Sequence, residues 1–255
     1  MAFDLSVIII VKNEQKNIRR ALESVSWAGE IIVVDSGSSD QTLSITKEYT
    51  DTIYHQDWLG YGKQKQFALS KATKKWVLSL DADEEVPAAL AKEIQSICLS
   101  DTQIDAYKIT RKSFFGLKMI RYGDWKDDAP IRLLKRVKGH FSDEIVHESI
   151  IVDGQVEKLK AFLFHYTYNT IADAIAKANE YSSLSAQKLY KKGKKSSLIL
   201  AVIKGTWSFI RSYVIKRGFL DGKYGFILAG SIALGTYLKY VKLAELNQKL
   251  NRCQS

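Results

Sequence analysis

The chain has 255 residues with 46% apolar and 26% charged content, enough to bury a core, which excludes a disordered chain. Collagen-like and disulfide-framework chains are excluded as well, because 15 Gly, 2 Pro and the two cysteines, Cys98 and Cys253, supply neither a repeat nor a staple set. The net charge of +10 is unevenly divided: residues 185–255 hold 14 Lys+Arg against Asp221 and Glu245, a balance of +12, whereas the first 184 residues sum to −2. Two cysteines fit a reducing compartment.

The first residues carry no basic n-region, and the apolar run Val7–Val11 is too short for a signal sequence, so secretion is not expected. Leu5–Val11 reads as a strand buried on both faces. Asn13 is placed to cap a following helix with Ile18, Ala21, Leu22 and Val25 at helical spacing. Glu30–Asp35 is a second buried strand ending in a carboxylate. A polar loop, Ser36–Asp40, then leads to a helix over Gln41–Tyr49, a short strand near Thr52–Tyr54 and a helix over Lys63–Ala72. Trp76–Leu80 is another buried strand, and it runs into Asp81-Ala82-Asp83-Glu84-Glu85. Strand and helix in repeated order predict an α/β domain with a largely parallel sheet. Residues 101–168 instead read as strands separated by turns: Asp105–Thr110, Ile131–Lys135, Ile145–Ile151 and Lys160–Tyr166. From about Ile171 the chain turns helical. The expected organisation is one α/β domain over 1–168, in two halves (1–100 and 101–168), then a helical extension over 169–255.

Ligands of such sheets bind beyond the carboxyl ends of the strands. Three ends deliver Lys12-Asn13-Glu14, Asp35-Ser36-Gly37 and Asp81-Ala82-Asp83 to one edge, and this convergence predicts a functional site. Two hard carboxylates separated by a small residue suit Mg²⁺ or Mn²⁺ held together with phosphate oxygens. The competing reading is a helix start at Asp83-Glu84-Glu85, before Pro87. Asp35 is placed to accept hydrogen bonds from a base or ribose. No G-x-G-x-x-G follows the first strand, which argues against a dinucleotide oxidoreductase, and no Walker lysine motif is present.

Three stretches, Ser6–Glu14, Val33–Thr42 and Leu80–Glu84, resemble the landmarks of family 2 glycosyltransferases, which have the GT-A fold. The resemblance extends to bacterial lipopolysaccharide-core transferases that add β-glucose to the inner-core heptose. It is carried further by Gly60–Lys65, Arg121–Trp125 with Arg132-Leu133-Leu134, Val146-His147-Glu148 and Phe219–Gly222. It implies that Asn13, Glu14 and Asp35 contact the nucleotide, with Asp35 facing the uracil, and that Asp81 lies near the ribose or sugar. Asp83 would bind a divalent metal, and Lys63 would help to hold the nucleotide or its phosphates. His165 matches a family histidine at the metal or diphosphate, although a structural histidine at a strand end explains it equally. Transfer in this family inverts the anomeric carbon, and the attacking hydroxyl must lose a proton to a general base. Glu148 is the first choice for that base and Asp128 the second, with Asp143 and Glu144 nearby. Arg132 would bind a phosphate or the acceptor, or form an ion pair.

In the extension, Lys191-Lys192-Gly193-Lys194-Lys195 precedes the apolar stretch Leu198–Val202. A helix continuing to Lys216 would set Lys204, Ser208 and Arg211 on one face. Tyr224–Leu238 is free of charge but shorter than the roughly 20 residues a spanning helix needs. The pattern predicts an interfacial anchor on anionic lipid, against a helical subdomain packed on the catalytic domain. The expected protein is a metal-dependent, inverting glycosyltransferase, peripheral on the inner face of the cytoplasmic membrane, taking UDP-glucose and a lipopolysaccharide-core acceptor. The rivals are a nucleotidyltransferase, which would show a Gly-rich phosphate loop after the first strand, and a nucleic-acid-binding protein using the basic tail. The tail's aromatic residues sit in apolar runs rather than among its lysines, so no nucleic-acid partner is expected.

Overall fold

A computed structural model describes residues 3–126, 128–142 and 149–253. The chain divides into two compact units, Met1–Lys112 with Asp127–His165, and Ser113–Lys126 with Tyr166–Ser255. In the first unit, β1 (Leu5–Val11), α1 (Ile18–Ser24), β2 (Glu30–Asp35), α2 (Thr42–Thr46), β3 (Ile53–His55), α3 (Tyr61–Lys71) and β4 (Trp76–Ser79) alternate as the apolar runs predict. β2 and β4 flank β1 in parallel, and β3 lies parallel outside β2. Successive side chains of a strand point to opposite faces. Val7, Ile9 and Val11 of β1 therefore pack with Ile18 and Leu22 of α1, while Ile8 packs with Ala68 and Leu69 of α3. With both faces covered, β1 shows no polar alternation.

The remaining elements are β5 (Glu84–Glu85), α4 (Ala88–Leu99), β6 (Ala106–Phe115), β7 (Lys118–Met119), β8 (Ile131–Lys135), β9 (Gly139–Phe141), β10 (Ile150–Val152) and β11 (Val156–Tyr168). The main sheet runs β3-β2-β1-β4-β8-β6-β11-β5, with β7 on β6, and β9 pairs with β10 separately. β8 is antiparallel to both β4 and β6, and β5 is antiparallel to the end of β11. Residues 84–85 thus form a strand rather than a helix start, and α4 begins only at Ala88. The architecture is a parallel half-sheet extended by antiparallel strands and flanked by helices.

The second unit holds α5 (Ile171–Lys191), α6 (Leu198–Ile210) with a π-helical turn over Arg211–Ile215, and α7 (Lys223–Cys253). Thr170 caps α5: its hydroxyl accepts from the Asp173 N–H at 3.1 Å, and the Asp173 carboxylate accepts from the Thr170 N–H at 2.9 Å. Ser113–Lys126, which the sequence places among the strands of 101–168, clusters with these helices. The cause is polar as well as apolar. The buried Asp221 carboxylate accepts the backbone N–H groups of Arg121 and Tyr122, each at 2.9 Å, while Phe115 and Ile120 pack with Ala174 and Leu228. One contact thereby joins two of the sequence stretches, Arg121–Trp125 and Phe219–Gly222. Asp221→Ala leaves two N–H groups without their charged acceptor and is expected to destabilise this unit by about 2–4 kcal/mol, with Asp221→Asn intermediate. Chemical denaturation measures this, and a loss of under about 0.5 kcal/mol, the range of an ordinary surface change, contradicts it.

Candidate active site

Because β1, β2 and β4 are parallel, their carboxyl ends open on one edge of the sheet. Asp35 ends β2 and is only 3% exposed. Its carboxylate accepts the N–H groups of Gly37 at 2.9 Å and Ser38 at 3.1 Å, in a turn where Gly37 adopts φ 87°, a conformation that favours glycine. Asn13 does not cap a helix: α1 starts at Ile18, and Asn13 stands at φ 56° in the left-handed region. It braces the β2 loop instead. Its N–H donates to Ser38 Oγ at 2.9 Å, and its side-chain oxygen accepts the Ser39 N–H at 2.8 Å. The Glu14 N–H donates to Thr42 Oγ1 at 2.7 Å. From α3, Gln64 donates to Ser36 Oγ at 2.9 Å. Asn13, Glu14 and Asp35 therefore belong to a wall made from loops that follow two adjacent strands.

Beyond β4 lies a chain of charges. Lys65 Nζ meets Asp81 Oδ1 at 2.8 Å, and Arg132 meets Asp81 Oδ2 at 2.5 Å and Glu84 Oε1 at 2.6 Å. Arg111 approaches Glu84 at 3.5 Å and holds Asp128 Oδ2 through Nε at 2.9 Å and through a second, terminal guanidinium nitrogen. Glu84 is fully buried, Lys65 and Arg132 nearly so, and Asp81 keeps about a quarter of its side chain exposed. Burial works against ionisation of Asp81, but the charges of Arg132 and Lys65 prevail and hold its carboxyl well below the usual carboxylate range. Burial likewise opposes the charge on Arg132, and Asp81 and Glu84 drive its affinity for the proton up. Arg132 is thus a buried brace of the Asp81 loop. Lys63 is exposed, and the lysine of α3 that meets Asp81 is Lys65. Sequence reasoning missed Lys65, Glu84 and Arg111. The signal for Lys65 was its spacing from Ala68, Leu69 and Ala72, which puts it on the apolar face of α3.

Asp83 has a different neighbour. In the β5–β11 register His165 stands opposite Glu84, and its Nε2 lies 3.6 Å from Asp83 Oδ2, with both side chains about 15% exposed (14% and 15%). The pairing of these strands, not their sequence spacing, brings the two predicted metal residues together. Among the described residues, no cluster of three or more His, Cys, Asp or Glu is placed to hold a metal ion. A carboxylate oxygen and an imidazole nitrogen nonetheless fit Mg²⁺ or Mn²⁺ that takes its other ligands from a substrate diphosphate and water, the usual arrangement of Mg²⁺ with phosphates. Glu148, Asp143 and Glu144 lie outside the described residues. Asp128 is 43% exposed and held by Arg111.

Residues 6–151 match the family described as Glycosyl transferase family 2. An uncharacterized glycosyltransferase of Rickettsia typhi, RT0209, is 35% identical over 263 residues, covering 96% of this chain and 88% of that protein. The lipopolysaccharide core biosynthesis glycosyltransferase LpsC of Rhizobium meliloti is 29% identical over 250 residues, covering 94% of this chain and 91% of its own. Among solved structures, S. aureus TarS residues 1–349 align at a TM-score of 0.47 and 16% identity over 98% of this chain and 92% of that one. The chain belongs to glycosyltransferase family 2, and its sheet is of the GT-A type. It is a glycosyltransferase, which removes the nucleotidyltransferase and nucleic-acid-binding alternatives.

The charge chain makes a pH-dependent prediction. The folded state holds the Asp81 proton less tightly than the unfolded chain, whose aspartates titrate near about 3.9. Stability from this grip is complete above that pH and is lost as pH falls through the lower folded value. Asp81→Asn, which leaves Lys65 and Arg132 facing no charge at that position, is expected to cost roughly 3 kcal/mol at neutral pH, with the gap to wild type narrowing in acid. Urea unfolding of both proteins across a pH series reads this out, and a gap that widens in acid contradicts it. In the same assay Lys65→Met is expected to be strongly destabilising, whereas Lys63→Met should fall within about 0.5 kcal/mol of wild type.

Proposed function

We propose that this glycosyltransferase moves glucose from UDP-glucose, with inversion and with a divalent metal, onto a lipopolysaccharide inner-core heptose or a similar membrane-borne saccharide at the inner face of the cytoplasmic membrane. The observation that carries the reading is the Asp83–His165 pair, 3.6 Å apart, beyond the edge where the β1, β2 and β4 ends converge. The name of LpsC, whose length this chain nearly spans, supports the acceptor class. The donor rests on the resemblance of the strand-end motifs.

In this reading Asn13, Glu14 and Asp35 line the nucleotide side, and the tight Asp35 turn fixes a carboxylate that accepts from the base. Lys65 and Arg132 keep Asp81 ionised beside the sugar. Asp83 and His165 would hold Mg²⁺ or Mn²⁺ against the diphosphate. When bound, the metal offsets the negative charge that builds on the departing nucleoside diphosphate. The acceptor hydroxyl loses its proton to a carboxylate as it attacks the anomeric carbon, and the bond to the diphosphate oxygen breaks with its electrons leaving on UDP. Glu148 is the preferred base. Asp128 is the second choice: Arg111 grips its Oδ2 twice, which leaves Oδ1 as the oxygen that would take the proton.

Nucleoside-diphosphate release from a panel of nucleotide sugars, with and without truncated lipopolysaccharide, tests the assignment. UDP-glucose with a heptose-terminated acceptor is expected to turn over fastest, and EDTA is expected to stop it. A different preferred donor, or full turnover in EDTA, contradicts the reading. Glu148→Gln should lower turnover by roughly 10²–10⁴ while leaving donor affinity near wild type. If Asp128→Asn shows that pattern instead, Asp128 is the base.

A further inference from the structure

α6 is built inside out. Its buried residues are Ala201, Gly205 and Ser208, continued by Ser212 in the π-helical turn, a seam of small side chains at spacings of three and four. The seam lies on α7. A Cβ added to Gly205 would stand 3.1 Å from Tyr237 Cβ, and Thr236 Oγ1 meets Ser208 Oγ at 3.2 Å. On the outer side Ile199, Val202, Ile203, Trp207, Ile210 and Val214 are exposed, Ile199 at 74% and Trp207 at 54%. A helix on a water-facing surface buries its large apolar residues. Small residues against a neighbouring helix, with large apolar ones facing out, are the pattern of helices whose solvent is lipid. Of the 18-residue stretch Leu198–Ile215, only 22% is buried.

Charge borders this face. Exposed Lys191, Lys192, Lys194 and Lys195 precede α6, and exposed Lys216, Arg217 and Lys223 follow it. Lys204 and Arg211, seven residues apart, line one flank of the helix. Asp124 pairs with Arg211 at 2.9 Å and Lys216 at 2.7 Å, and Asp221 is buried, so the border remains strongly positive. At 1.5 Å per residue the stretch is about 27 Å long, at the lower limit for the roughly 30 Å hydrocarbon core, so length alone does not decide between crossing and lying flat. Crossing the bilayer would carry Lys204 and Arg211 into its interior, where a charge is costly. Lying in the interface keeps both at headgroup level.

We propose that the outer face of α6 is a membrane-docking surface that lies in the plane of an anionic bilayer, with Ile199, Ile203, Trp207 and Ile210 among the acyl chains and the flanking lysines on lipid phosphates. Such a surface holds by two separable forces. Lysine attraction is screened by salt, and apolar burial is not.

Flotation of the full chain with phosphatidylglycerol-containing vesicles and with pure phosphatidylcholine vesicles, across a salt series, tests it. Tight binding to the anionic vesicles is expected, weakening by an order of magnitude or more at high salt without vanishing. Trp207 emission should be quenched by lipids brominated on the acyl chain, and Trp207→Phe should lose that quenching. Ile203→Ser with Ile210→Ser should remove the salt-resistant binding. Replacing Lys191, Lys192, Lys194 and Lys195 with Gln should remove the salt-sensitive part. Both variants should retain donor hydrolysis in solution, which shows that they fold. Failure of the folded, active protein to bind either vesicle overturns the proposal. So does self-association that Ile203→Ser with Ile210→Ser abolishes, if it occurs without vesicle binding.

Discussion

Six charged side chains in a row, Lys65–Asp81–Arg132–Glu84–Arg111–Asp128, connect α3, the loop after β4, β5, β6 and β8. A carboxylate as buried as Glu84 survives in a protein only when a partner faces it, and here two guanidinium groups do. Replacing an interior member removes a charge partner from each of its two neighbours, and the loss is greatest where the neighbour is as buried as Glu84, Arg132 or Lys65. The arrangement holds the Asp-Ala-Asp loop at both ends, through Asp81 and through Glu84 just beyond it. Asp81, held between Lys65 and Arg132, is kept ionised and oriented by the fold itself.

The same constraint gives two aspartates, two positions apart, opposite surroundings. Asp81 faces the protein's own cations, whereas Asp83 faces His165 across the β5–β11 pairing. A spacing of two residues at a strand end is a weak signal in itself. What distinguishes the pair is that the chain turns straight into a short antiparallel strand, so the second aspartate is carried to a histidine 82 positions further along the sequence. The division follows from geometry: the Asp81 carboxylate is paired with a lysine and an arginine of the fold, whereas Asp83 lies beside a histidine, and the proposed division of labour assigns the second to the metal.

The parallel half of the sheet was legible because its strands are apolar on both faces, and a run such as Val7–Val11 admits few other readings. The strand-end residues Asn13, Glu14, Asp35, Asp81 and Asp83 were legible for the same reason, since strands of known direction deliver their ends to a known edge. Partners distant in sequence were not. Arg111 with Asp128 and Glu84, and Arg132 with Asp81, are set by antiparallel register, which no local spacing encodes. Lys65 went unread because its partner Asp81 is brought to the apolar face of α3 by packing beyond the end of β4, which local spacing does not encode. Asn13 has the chemistry of a helix cap but uses it on the neighbouring loop. Ser113–Lys126 reads as part of a strand region, yet the buried Asp221 draws it to the helices.

Binding of Mn²⁺ in the presence of UDP, followed by electron paramagnetic resonance, measures that division of labour most directly. The account predicts that Asp83→Asn loses the ternary signal while keeping wild-type stability, and that Asp81→Asn is destabilised yet still binds the metal with UDP at pH values where it remains folded. Loss of Mn²⁺ binding in Asp81→Asn together with its retention in Asp83→Asn would contradict the account.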